Sequence, residues 1–124
     1  MGDKYYAFEK FSSAVRLLAV NDGPRRGLLR DAYSSFSPII EKDLPDSAVE
    51  SFREIERRLN AAEDTTGEGT VPATLRLLDV DEARSIAGLI VDVHGWLARA
   101  IFDAQKTGER FGAHHPDTAV DEDD

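Results

Sequence analysis

The chain has 124 residues, no cysteine, 41% hydrophobic residues and a formal charge of −9. That length suits one domain, and the apolar content supports a single core rather than a disordered chain. The lack of cysteine excludes disulfides, thiolate catalysis and zinc–thiolate sites, and it fits a cytoplasmic protein.

The charge is unevenly placed. The stretch DTAVDEDD, residues 117–124, holds five carboxylates, and without them 19 acidic residues face 15 basic ones, a balance of −4. The body is thus mildly acidic, and direct nucleic-acid binding, which needs concentrated Lys and Arg against phosphates, is disfavoured. No membrane association is expected: no uninterrupted run of about 18 apolar residues marks a spanning helix. The opening MGDKYYAFEKF lacks the apolar centre of a signal peptide and the Ser or Thr of a myristoylation site.

Asp3 is a candidate cap for a first helix over Lys4–Val20. Its stripe is Phe8, Phe11, Val15 and Leu18, filled out by Ala7, Ala14 and Ala19, with Tyr6 and Leu17 lying off it. Asn21-Asp22-Gly23-Pro24 ends that helix and opens the next, with Pro24 at the first helical position. Leu28, Leu29, Ala32 and Phe36 form the second stripe, edged by Tyr33. Ser37-Pro38 breaks it, because proline lacks the backbone donor and clashes with the preceding turn. Ile39 and Ile40 fit a short helical turn. Pro45 and Asp46 open a third helix to Ala62, with Ala48, Phe52, Ile55, Leu59 and Ala62 on one face. Glu50, Arg53, Glu54, Glu56, Arg57 and Arg58 form its solvated side, where like and unlike charges four apart offset each other.

Residues 63–70, EDTTGEGT, read as a flexible polar loop. Pro72 then opens a short helix over Val71–Leu78 that turns Leu75 and Leu78 inward. The longest element spans Asp79 to Thr107. Ile86, Ile90, Val93, Leu97, Ile101 and Ala104 recur at steps of three and four, widened by Leu89, Trp96 and Ala100 on one side and Ala83 on the other. Asp79 with Glu82 three residues on resembles a capping box, and Gly108 is the expected stop. Gly88 and Gly95 lie opposite the stripe, each costing about 1 kcal/mol relative to alanine. The fold class is therefore all-α: an antiparallel bundle of four principal helices with short connecting helices and the long C-terminal helix central. The expected domain is 1–112, with Phe111 docking on its body, and 113–124 form an acidic, unstructured tail.

Catalytic constellations are missing. None of the serines sits in a nucleophile-elbow pattern, and GEG at 67–69 lacks the remainder of a phosphate-cradling motif. His94 lies at the edge of the long stripe, where a half-buried ring with one satisfied nitrogen is the ordinary outcome and a general base or ligand is the sharper one. His114, His115 and Asp117 offer imidazole and carboxylate ligands, but no third partner in the body is evident. Arg110 and His115 share, by spacing alone, the arginine–four residues–histidine pattern of helical ribonucleases of the HEPN type. In that family the motif is helix-borne, whereas here His115 lies beyond Gly112 in the expected tail, so no membership is inferred. No catalytic residue, metal site or cofactor is assigned.

Two surface features remain. Arg25 and Arg26 beside a helix N-terminus form a weak candidate anion site. Val91, Ala98 and Phe102 cluster on the long helix away from its core stripe, and they are the candidate partner-binding residues. The functional expectation is a small non-catalytic regulator, inhibitor or accessory subunit that binds another protein or a second copy of itself. The alternatives are a helical hydrolase or nuclease using a histidine, and an acidic nucleic-acid mimic of the antitoxin kind.

Overall fold

The computed structural model describes residues 2–111, with side chains described for 2–106. Helix α1 (Lys4–Val20) starts at the expected cap: the Asp3 carboxylate accepts the Tyr5 and Tyr6 amides, each at 3.0 Å. Helix α2 (Arg25–Phe36) ends before Pro38, as proline chemistry requires. A short 3₁₀ helix at Glu41–Asp43 follows, then α3 (Asp46–Leu59), α4 (Thr70–Leu77) and α5 (Val80–Phe111). The fold is an all-α helical bundle, with no strand among the described residues.

The amphipathic stripes become one core. Phe11, Leu29, Phe36, Ile55, Leu59, Ile86, Ile90, Val93 and Leu97 are fully buried within it. Aromatic rings knit its centre: Phe11 stacks on Phe36 with centroids 4.4 Å apart, and Phe52 meets Phe11 edge-on at 6.3 Å. Helix α5 packs against α1, α2 and α3, while α4 bridges α2 and α3. By length and composition alone, Val80–Lys106 suffices to cross a bilayer, although no uninterrupted apolar run marks it as such. Its most apolar side faces the other helices, since Ile86, Ile90, Val93 and Leu97 are each 0% exposed.

Several boundaries depart from the sequence reading. Asn60, not Ala62, closes α3: its backbone N–H donates to the Glu56 carbonyl at 3.2 Å and its side-chain amide to the same oxygen at 2.7 Å. Gly108 does not stop α5, which runs to Phe111. Glycine permits the left-handed stop without enforcing it. The stripe of α5 also outruns the bundle. Ile101 is only half-buried, Ala104 is exposed, and Trp96 is 45% exposed rather than widening the core. In α1, Ala7, Phe11 and Ala14 are buried, Phe8, Val15 and Leu18 are half-buried, and Ala19 is exposed. Ile39 is buried, but Ile40 faces solvent.

The loop at 63–70 is organised rather than loose. The Asp64 carboxylate accepts the amides of Thr66, Gly67 and Gly69 at 3.1, 2.9 and 3.0 Å. Gly67 and Gly69 hold φ of 85° and 107°, values that other residues adopt only under strain. Thr74, buried in α4, ties the loop down by accepting the Ala62 amide at 2.9 Å. The charged face of α3 sorts differently from simple four-residue pairing: Glu54 is taken by Arg57, and Arg58 reaches Ser85 of α5 at 2.9 Å. The acidic tail at 113–124 and the side chain of Phe111 lie outside the described residues.

Candidate functional site

The candidate surface is set by how α5 begins. Asp79 accepts the Glu82 amide at 2.7 Å, and Glu82 returns to accept the Asp79 amide at 3.0 Å. This reciprocal cap satisfies two otherwise orphan donors. Helical phase then decides the rest. With Ile86, Ile90, Val93 and Leu97 turned fully inward, Val91 and Phe102 are carried to the outer side, 49% and 61% exposed. Ala98, half-buried, lies between them on nearly the same line. The three residues singled out from sequence therefore share one outward strip.

Gly88 and Gly95 adjoin that strip. A Cβ placed on either would meet nothing within 4 Å, so no neighbouring helix among the described residues explains them. Arg84, Asp92 and Arg99 are exposed nearby, and Arg99 pairs with Asp103 at 3.5 Å. Such an exposed pair four residues apart contributes only a few tenths of a kcal/mol.

His94 occupies the boundary between α5 and α1. Its Nε2 shares a hydrogen bond with the Ser12 hydroxyl at 3.1 Å, and its ring stacks on Phe8 at 5.1 Å. Burial pushes the imidazole below its ordinary pKa of 6.5, so the ring is neutral at pH 7. This is the half-buried histidine with one satisfied nitrogen. Among the described residues, no group of three or more His, Asp or Glu converges in a way that suits a metal ion. His114 and His115 lie outside the described residues, as does the side chain of Arg110.

The two arginines that open α2 part company. Arg25 is half-buried, while Arg26 is drawn toward α4, donating to the Arg76 carbonyl at 3.2 Å. Arg26 and Arg30 line a depression of about 370 Å³ with Arg76, whose Nη1 lies 2.8 Å from both carboxylate oxygens of Glu68. Basic side chains gather there across α2 and α4, a grouping that their separation in sequence conceals.

Sequence reasoning also missed a second exposed apolar area. Leu77 is 75% and Val80 62% exposed, and Leu77 lines a cleft of about 360 Å³ with Arg57, Arg58, Leu78 and Ile86. The available signal was that Leu77 and Val80 fall outside the inward positions Leu75 and Leu78. Comparison with protein families, curated proteins and solved structures found no match.

Proposed function

We propose that this is a small non-catalytic protein-binding regulator, inhibitor or accessory subunit, acting in the cytoplasm through the outward strip of α5. One observation carries the reading: large apolar side chains, Val91 and Phe102, stand exposed in line on a helix whose other side is committed to the core from Ile86 to Leu97. Contiguous exposed apolar surface is a feature of interaction sites, because it gains free energy only when another molecule covers it. The neutral, hydrogen-bonded His94 adds no catalytic partner to this strip.

The test is Phe102→Asp. Circular dichroism should report unchanged helical content, and the variant should lose association with whichever chain the wild type binds, whether another protein recovered from the native host or a second copy. A charged carboxylate is costly to bury without a partner but harmless when exposed. If the substitution unfolds the monomer instead, Phe102 belongs to the core and the reading fails.

A further inference from the structure

We propose that the outward strip of α5 pairs with the same strip of a second copy, the two helices running antiparallel about a two-fold axis near Gly95. This rests on the reading of that strip as a binding surface, and it names the occupant. Gly88, Val91, Gly95, Ala98 and Phe102 follow one another at alternating steps of three and four, the spacing of a seam between two helices. The seam faces away from the core, and its two largest members are exposed.

The residues are self-complementary in shape. In antiparallel register, Phe102 of each copy enters the hole framed by Gly88, Val91 and Gly95 of the other, and Gly95 faces Ala98. A phenyl ring needs a wide hole. Two glycines supply one, and the open space at their Cβ positions shows that none of the described residues fills it. Small residues also let helix axes approach to the short end of the usual 8–10 Å range. A two-fold interface requires one patch to fit itself, and here the bulk and the vacancy lie on the same strip.

Charge fixes the direction. The antiparallel register sets Asp92 of each copy beside Arg99 of the other, twice by symmetry. A parallel pairing would place these flanking residues of the two copies on opposite sides of the seam, out of reach of each other, so only the antiparallel arrangement pairs them. The intrachain partner of Arg99, Asp103, holds it loosely at 3.5 Å with both side chains well exposed, so Arg99 is free to turn toward a second copy.

Sedimentation equilibrium of the full chain tests this. The wild type should dimerise in the micromolar range. Gly88→Leu fills the hole while placing a better helix former at an open position, so the monomer should keep its fold and melt no lower, yet the dissociation constant should rise by about tenfold or more. Asp92→Arg and Arg99→Asp should each weaken the dimer, and the two together should restore it. A wild type that stays monomeric at high micromolar concentration overturns the pairing, as does a dimer indifferent to Gly88→Leu or a charge reversal that restores nothing. The outcomes separate this pairing from the broader reading. A monomer whose capture of a foreign protein is lost in a folded Phe102→Asp variant removes the second copy but leaves the binding strip. A Phe102→Asp variant that unfolds removes both.

Discussion

The amide of Asp3 donates to the carboxylate of Asp43 at 2.9 Å, joining the start of α1 to the 3₁₀ helix 40 residues later. The other Asp43 oxygen accepts the Ile40 amide at 3.1 Å, and Asp43 is only 8% exposed. One buried carboxylate thus satisfies two backbone donors that no regular element serves. Asp43→Ala should destabilise the protein by about 1–3 kcal/mol, because both donors lose their partner in a poorly solvated place. Chemical denaturation of the variant measures this, and a loss near zero would mean that water replaces the carboxylate freely.

The buried and exposed sides of α5 predict unequal costs. Leu97 is 0% exposed within the core, so Leu97→Ala should cost about 2–5 kcal/mol through lost transfer energy and the cavity left behind. Two residues on, the Arg99 side chain is 72% exposed, and Arg99→Ala in the monomer should change stability by about 0.5 kcal/mol or less. Comparable effects from the two substitutions would show that the phase of α5 is misassigned.

His94 predicts a dependence on pH. Burial lowers its pKa in the folded state, so the unfolded chain takes up the proton first as pH falls. The contribution of the neutral ring is therefore complete above about pH 6.5 and declines below it, until the folded ring protonates as well. Glu56 runs the other way: burial raises its pKa, the Tyr33 hydroxyl partly offsets this, and its contribution declines as pH rises above its unfolded value of 4.5. Glu41 and Glu54, lowered by hydrogen bonds from Arg53 and Arg57, lose theirs as pH falls below about 4.5. Comparing wild type with His94→Gln isolates the histidine. The difference in melting temperature between them should narrow as pH falls from 7 toward 5, and a constant difference would refute the assignment.

These residues also show which features were legible in the sequence. The span of α1, its Asp3 cap, the break at Pro38 and the Asp79–Glu82 capping box are local, so neighbouring residue types were enough to find them. The inward face of α5 followed from its period. Where that face runs out did not, because periodicity records which side is apolar and not how far the neighbouring helices reach, and Ala104 is exposed for that reason. Asp43 was invisible because its partner amide lies 40 residues away. The strip of Val91, Ala98 and Phe102 was legible because helical phase alone puts it opposite the core. The gathering of Arg26, Arg30 and Arg76 depends on the contact between α2 and α4, which no local pattern encodes.

The loop at 63–70 should depend on one side chain. Asp64 collects three backbone amides, and although desolvation raises its pKa, those amides and that of Glu68 outweigh it and hold the carboxyl below its ordinary range. Asp64→Ala removes all three acceptor contacts. Amide hydrogen exchange at Gly67 and Gly69 should then quicken relative to the core of α3, and the melting temperature should fall modestly. Unchanged protection at both glycines would show that their conformation is held by the flanking helices instead.

Two glycines should respond to alanine with opposite signs. Gly27 lies in α2, and a Cβ there meets nothing within 4 Å. Gly27→Ala should stabilise the protein by about 0.5–1 kcal/mol, since alanine loses less backbone freedom in a helix and no neighbour must move. Gly2 is the reverse case. A Cβ on Gly2 would collide with the Lys42 carbonyl oxygen and sit 2.9 Å from the Asp43 nitrogen, both backbone atoms of the 3₁₀ helix. Neither atom can withdraw like the end of a flexible side chain, so the N-terminal segment must lift away. The next residue is Asp3, whose amide is held by Asp43, so Gly2→Ala should break that hydrogen bond and reproduce much of the loss from Asp43→Ala. The double variant tests this link. If both substitutions act through the one contact, their effects should be strongly non-additive, whereas additive losses would show that Gly2 and Asp43 stabilise the protein separately.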